Sequence, residues 1–258
     1  MIDVVINYCS LDARFIERSI KECIKFGNRI IVSVCDHFFD GTPEDTNDIQ
    51  RIAETFSEFP NVQVIQYEWD PTQDSKYHHN MSRWVGLSFC EEEHVLLLDA
   101  DEIIDGDIMK DYLSTGDHLQ YDAQALECYW YFREPMYRAR QTEMAGCIYR
   151  RSACTQDVIF AKNERWAYTD HPRLRVREHL THNNKIMCHH FSWVRTKEEM
   201  LTKVRNWAHK NDYHTFRMGQ KRVGMGWNDV IEEEFTRPFN GTDFIHGYEY
   251  DIVDSLLN

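Results

Sequence analysis

Apolar residues in the first hundred positions alternate between two spacings, one typical of buried strands and one typical of amphipathic helices. The pattern predicts strands at 4–9, 29–35, 62–67 and 95–98, separated by helices at 15–24, 43–56 and 80–90. Strands that are apolar throughout and alternate with helices favour a mostly parallel sheet flanked by helices, a Rossmann-like α/β arrangement.

The pattern changes after Glu102, where the strands become longer and more aromatic. It predicts strands at 123–132, 146–151 and 186–193 and a helix at 198–210 behind the N-cap residue Thr196. After Met218, glycines interrupt the regular spacing of apolar residues that would indicate a helix or a strand. We predict one domain over residues 1–258, with a first half at about 1–105, a smaller mixed β half at about 106–215 and a tail of uncertain structure at 216–258.

Composition restricts the classes of partner. The formal net charge is −14, which argues against broad binding to a nucleic-acid backbone, although a metal ion can still bring an anionic small molecule to an acidic chain. Eight cysteines stand singly, without a CxxC pair, and favour reduced thiols. No segment has the length and apolarity of a signal peptide or a membrane span, so we expect a cytoplasmic protein.

Two carboxylates, Asp99 and Asp101, follow the predicted strand at 95–98 directly. Ligands of open α/β sheets bind at the carboxyl ends of the strands, where such a pair can hold Mg²⁺ or Mn²⁺ against a phosphate. The alternative is that these acids cap a helix beginning near Asp105.

Three segments resemble, in chain order, those of GT-A-fold glycosyltransferases related to the family 2 enzymes. Asp36 precedes a D-G-T turn at 40–42, and residues 99–102 form a D-x-D motif followed by Glu. His190-Phe191 precedes a T-x-E-E segment and then Lys203. The first half would accordingly bind a nucleotide sugar and the second half would shape the acceptor site.

A fourth segment, Tyr168-Thr169-Asp170, loosely resembles the region that holds the family's general base. The match spans about 3–210 and departs from the family pattern in two places. Thr169 replaces the usual first acid, and Trp84 stands where many relatives carry Asn after Arg83.

The resemblance implies a role for each matching residue. Asp36 would contact the donor nucleoside, and Asp101 would bind the metal directly. Asp99 would reach donor hydroxyls and share in the metal site, and His190 would complete the metal shell. Asp170 would take the proton of the acceptor hydroxyl in an inverting transfer.

Simpler structural readings compete with several of these roles. Asp36 is also typical of a turn, and His190 of a hydrogen-bonded core histidine, with His189 beside it as an alternative. Arg83 and Lys203 would bind the diphosphate, or they are surface charges with buried stems.

The identity of the base has alternatives as well. Asp170 precedes His171-Pro172 and is also typical of a turn. Glu127 and Glu178 are therefore the second-ranked candidates for the base. The aromatic run at 129–132 fits a core strand better than a sugar-stacking surface and is left out of the predicted site.

These features predict metal-dependent transfer of a sugar from a nucleotide sugar, a UDP-sugar, to a glycan or another hydroxyl-bearing acceptor. A metal-dependent sugar nucleotidyltransferase also places an acidic pair near a strand end, although no glycine-rich phosphate loop occurs near the N-terminus. A non-catalytic carbohydrate-binding protein of the same fold is the third hypothesis, and it would tolerate the loss of Asp101.

Overall fold

A computed structural model describes residues 1–160, 172–207, 226–243 and 245–257. Within that part of the chain, ten strands form one sheet in which the path β3-β2-β1-β4-β7-β6-β9-β5 is continuous. The elements are β1 Ile2–Tyr8, α1 Ala13–Ile24, β2 Gly27–Cys35, α2 Thr46–Thr55, β3 Val62–Tyr67, α3 Ser75–Leu87, β4 His94–Asp99, β5 Glu102–Ile104, α4 Gly106–Ser114, β6 Ala123–Phe132, β7 Glu134–Arg150, α5 Gln156–Ile159, β8 Val176–Leu180, β9 Cys188–Trp193, α6 Lys197–Asn206, α7 Trp227–Thr236 and β10 Tyr250–Ile252.

The first half is the predicted parallel unit. Strands β3, β2, β1 and β4 run parallel, with Val5 opposite Ile31 on one side and Leu97 on the other. Val4 and Ile6 face a cluster that includes residues of α1, whereas Val5 faces one that includes Leu87 of α3. Helices therefore cover both faces of the sheet, which is why its central strands are apolar at every position.

The second half is mixed. Strand β7 pairs antiparallel with β4 and with β6, while β9 runs parallel to β6 and antiparallel to β5. In the tail, α7 packs against α6 and β10 pairs antiparallel with β7. The predicted Rossmann-like α/β fold, mostly parallel first and mixed afterwards, is confirmed.

Three predicted boundaries are wrong, two of them because a capping side chain starts a helix elsewhere. Helix α2 does not begin at Pro43 but at Thr46, where the Asp45 side chain accepts from the Asn47 amide. Helix α3 begins at Ser75 rather than near residue 80, because Asp74 caps it. The strand predicted at 146–151 is only the end of the 17-residue β7.

Gly86 lies where α3 crosses β1. A Cβ atom at this position would stand 2.3 Å from Val5 Cγ1, closer than packed atoms approach. The helix and the strand can approach this closely only because residue 86 has no side chain.

We expect Gly86→Ala to lower the free energy of unfolding by about 1–3 kcal/mol, because the added methyl overpacks this contact. Chemical denaturation measures the change. Val5→Ala removes the clashing atom. The double variant should therefore lose less free energy of unfolding than the two single variants lose together. Strictly additive losses would show that the contact does not limit the approach of α3.

All eight cysteines are free thiols in the structure. Every helix in the described ranges is too short or too polar to cross a membrane.

Candidate active site

A cavity of about 400 Å³ lies at the carboxyl ends of β1, β2 and β4. Residues of β6, β9 and α6 and the start of α7 line it as well. Residues of both halves of the chain line it, among them Asn7, Asp12, Cys35, His37, Asp99, Asp101, Trp130, His190, Lys203 and Trp227.

The turn after β4 presents the acidic pair to this cavity. Asp99 is the last residue of β4, and its amide donates to Glu102 Oε2 at 3.0 Å. The Ala100 amide donates to the Asn7 carbonyl at 3.0 Å, and the Asp101 carbonyl accepts from the Phe191 amide at 2.8 Å. These bonds hold the turn between β1 and β9, so the two carboxylates occupy fixed positions.

The capping explanation for the acidic pair is wrong. Helix α4 begins at Gly106, and its cap is Asp105, whose side chain accepts from the amides of Asp107 and Ile108. Asp99 and Asp101 line the cavity instead.

Asp101 is 2% exposed and is surrounded by positive charge. Its Oδ2 atom is 2.5 Å from Lys203 Nζ and 3.6 Å from a terminal nitrogen of Arg195, while Oδ1 is 3.7 Å from His190 Nε2. Burial alone would raise the pKa of Asp101, but the charges of Lys203, His190 and Arg195 outweigh it and lower the pKa to about 2. Asp101 is therefore a carboxylate anion at neutral pH.

Asp99 is held by a different set of groups. Its Oδ1 atom accepts from Asn7 Nδ2 at 3.1 Å and from Arg83 at 3.0 Å, and it lies 3.2 Å from His79 Nε2. Arg83 is 1% exposed, so the interpretation of Arg83 as a surface charge is wrong. The structure places Arg83 against Asp99, where it neutralises and orients that carboxylate.

Adjacent histidines on β9 face opposite ways, as alternate residues of a strand must. His189 is buried, its Nδ1 atom is 2.8 Å from the Tyr131 hydroxyl, and burial lowers its pKa to about 4. His190 lines the cavity and faces Asp101. The geometry thus favours His190 over His189 at the site.

Lys203 lines the cavity, whereas Asp36 is not among the lining residues. Asp36 Oδ1 lies 2.8 Å from His37 Nδ1 and accepts a hydrogen bond from the Trp69 amide at 2.7 Å. The bond to Trp69 joins the ends of β2 and β3. Lys203 lines the cavity from α6, whose first turn is closed by a capping box of Thr196 and Glu199. Only 13% of the Lys203 side chain is exposed, so it is not a surface lysine.

The candidate bases lie apart from the acidic pair or outside the described residues. Asp170 lies at 161–171, a range that the structure does not describe. Glu127 contacts His179 and Thr142, Glu178 is exposed on β8, and neither is a cavity-lining residue.

Sequence reasoning missed Asp12 and Arg195. Asp12 precedes α1 and resembles an N-cap in the sequence, yet its side chain makes no capping hydrogen bond and instead accepts from Arg195. Arg195 also donates to the carbonyl oxygens of Leu11 at 2.8 Å and Ser192 at 3.1 Å. Nothing in the local sequence pairs residues 183 positions apart.

The residues at Asp101 fit a divalent ion only in part. Asp101 Oδ1 and His190 Nε2 are 3.7 Å apart, wider than the separation of about 3.0 Å between adjacent ligands of an octahedral ion with bonds of about 2.1 Å, so the two side chains would have to move closer together to share one ion. Among the described residues, no group of three or more His, Cys, Asp or Glu side chains could hold a metal ion. An oxygen and a nitrogen ligand with the remaining positions open suit Mg²⁺ or Mn²⁺ shared with substrate phosphates.

Comparisons with solved structures support the fold. The crystal structure of S. aureus TarS 1–349 has 17% identity and a TM-score of 0.50, over 77% of this chain and 62% of that one. Its complex with UDP-GlcNAc has 19% identity and a TM-score of 0.51, over 73% of this chain and 58% of that one. A further crystal structure of S. aureus TarS has 15% identity and a TM-score of 0.51, over 91% of this chain and 42% of that one.

This chain therefore spans less than two thirds of the length of the TarS structures that it resembles. At these identities the likeness shows a common GT-A-like fold. No protein-family model matches the sequence, and no curated protein does.

Proposed function

We propose that this protein transfers a sugar from a UDP-sugar to an acceptor hydroxyl, with Mn²⁺ or Mg²⁺ at Asp101 and His190. The observation that carries the proposal is the acidic pair at the end of β4, which lines a cavity where Asp101 Oδ1 faces His190 Nε2. The choice of a UDP-sugar is supported by the UDP-GlcNAc complex of TarS, which has a similar fold.

Charge balance at the site supports a substrate with a diphosphate. The site contains three acidic and three basic side chains that form ion pairs, so their charges cancel. The pairs are Asp99 with Arg83, Asp12 with Arg195 and Asp101 with Lys203. A divalent ion would therefore leave an excess of two positive charges, which a nucleoside diphosphate group neutralises. When bound, the ion stabilises the negative charge that develops on the leaving diphosphate.

The chain's own residues would divide the donor between them. Asn7, Cys35 and His37, at the ends of β1 and β2, would surround the nucleoside, and Asp36, beside them, would hold this segment through the Trp69 amide. Asp99, oriented by Arg83, would accept hydrogen bonds from ribose or sugar hydroxyls. Lys203 reaches the cavity on α6 and would bind the diphosphate.

An inverting reaction needs a base on the acceptor side. The carboxylates of Asp12, Asp99 and Asp101 each pair with a cation of the site, so their oxygen atoms are already engaged. Asp170 is our proposed base, in the segment before Pro172.

We expect one UDP-sugar to raise the melting temperature only when Mn²⁺ or Mg²⁺ is present. At a ligand concentration of about 100 Kd the stabilisation is about 2.7 kcal/mol, which corresponds to a rise of about 5–10 °C for a chain of this size. A thermal-shift screen of nucleotide sugars with each metal and with a chelator measures this, and release of UDP measures turnover.

Two outcomes would contradict the proposal. If no nucleotide sugar changes the melting temperature under any metal condition, a non-catalytic carbohydrate-binding protein is favoured. If a sugar phosphate and a nucleoside triphosphate yield pyrophosphate, the protein is a nucleotidyltransferase.

A further inference from the structure

Aromatic side chains from the second half of the chain line part of the cavity. We call Trp130, Trp193, Trp207, Trp227 and His246 the aromatic wall; all five line the cavity. The ring centroids of Trp207 and Trp227 are 4.3 Å apart, and those of Trp130 and His246 are 5.0 Å apart. Trp193 lies 6.3–6.4 Å from its neighbours in the wall and connects the two pairs.

The wall begins beside the acidic pair. The Trp130 ring meets the His190 ring edge-on at 4.9 Å, and His190 Nε2 faces Asp101. The segments proposed to hold the nucleoside, at the ends of β1 and β2, contribute other residues to the lining. A molecule lying on the wall would therefore contact residues that the nucleoside does not use and would reach the acidic pair through Trp130 and His190, where an acceptor has to bind.

Two polar atoms of the wall, on Trp130 and His246, have no hydrogen bond to any residue that the structure describes. Trp130 is 5% exposed, and its indole nitrogen has no hydrogen-bond partner among the described residues. His246 Nδ1 is likewise without a hydrogen bond there, since Asp243 Oδ1 is 3.8 Å away. Buried donors are almost always paired in proteins, so a ligand with hydroxyl groups explains these two better than packing alone.

From this combination we infer that the acceptor is a carbohydrate, whose ring stacks on the aromatic wall while a hydroxyl accepts a hydrogen bond from Trp130. A sugar ring has an apolar C–H face and a polar rim, which match flat aromatic surfaces with isolated donors. A lipid tail would leave the indole N–H unpaired at a cost of about 1–3 kcal/mol.

This inference rests on the proposed function and names the acceptor class for it. In the reaction, an acceptor hydroxyl oxygen forms a bond to the anomeric carbon of the donor, and the bond from that carbon to the diphosphate oxygen breaks. The hydroxyl proton passes to the carboxylate base, and the nucleoside diphosphate leaves.

The test measures oligosaccharide binding without any donor. Cellotetraose, maltotetraose and chitotetraose are titrated while tryptophan fluorescence and saturation-transfer NMR are recorded. We expect at least one to bind, Trp227→Leu to weaken binding by about tenfold or more, and Trp130→Phe, which keeps a ring but removes the N–H, to weaken it by about three- to tenfold.

Trp84→Leu is the matched control. Trp84 lies on α3 and packs against Phe160, outside the cavity lining, so its loss should leave the oligosaccharide affinity unchanged. Circular dichroism and the UDP-sugar thermal shift check that each variant is folded. Trp130→Phe is conservative enough to decide the question if Trp227→Leu does not fold.

The inference is overturned if no oligosaccharide binds, if both wall variants bind as the wild type does, or if serine peptides or detergent-solubilised lipids are the acceptors that accelerate UDP release. Its failure can be told apart from failure of the proposed function. Donor binding without oligosaccharide binding removes only the inference. Oligosaccharide binding without any nucleotide-sugar binding removes the proposed transfer and leaves a carbohydrate-binding site.

Discussion

Asp101→Asn should reduce sugar transfer by about 100-fold or more and abolish the metal-dependent thermal shift. The amide has nearly the volume of the carboxylate, so the packing around this buried side chain is preserved. What is lost is the negative charge that faces His190 Nε2 across 3.7 Å. Loss of one group that stabilises developing charge typically costs about 10²–10³ in rate, and a direct metal ligand should lie at the upper end.

Initial rates of UDP release across a Mn²⁺ titration measure this effect. Asp107→Asn is the matched control, because Asp107 is an exposed acid that pairs with Lys25 on the surface, away from the cavity. It should keep the rate and the metal dependence of the wild type. An Asp101→Asn variant with undiminished turnover would show that Asp101 holds no ion in the reaction, and the proposed role of Asp101 would be wrong.

Arg195→Met should lower the free energy of unfolding by about 3–5 kcal/mol. Arg195 is buried and donates to Asp12, to the Leu11 carbonyl and to the Ser192 carbonyl. It therefore ties the turn after β1 to the end of β9. Without Arg195, the Asp12 carboxylate keeps only the more distant Lys203 Nζ, 3.6 Å away, and the loss of one member of a buried ion pair is the costly case for buried charges.

Urea denaturation of single and double variants tests this interpretation. Asp12→Leu combined with Arg195→Met removes both charges, so the double variant should be more stable than Arg195→Met alone. Lys203→Met is the comparison, since Lys203 is less buried and its loss should cost less stability while weakening donor binding. A loss below about 1 kcal/mol in Arg195→Met would mean that other contacts hold the two segments together.

Local pattern predicted most of the first half. The strands predicted at 62–67 and 123–132 match β3 and β6 residue for residue. Their ends are clear in the sequence because turn residues and a change in the spacing of apolar residues mark them. Helix α6 begins where Thr196 and Glu199 form the capping box that the sequence indicates. The acidic pair was found in the same way, because a strand end followed by two acids is a local signal.

Other elements gave no local signal. Strand β5 has three residues, and β10 has three residues within a glycine-rich tail; both exist because β9 and β7 offer edges for pairing. The aromatic run at 129–132 was assigned to the core, and this holds for Tyr131 but not fully for Trp130, which also lines the cavity. Strand alternation separates the two faces but does not reveal which face borders a cavity.

The order of residues along this chain was sufficient for the α/β class, the parallel strands and the position of the acidic turn. Each of these follows from interactions between residues only a few positions apart. Three features arise only after folding. Asp12 pairs with Arg195, Asp101 faces His190 and Lys203, and several tryptophans come together in the cavity lining. These contacts join residues 89 to 183 positions apart or unite several elements, and such pairings are selected by packing of the whole sheet rather than by any neighbouring sequence.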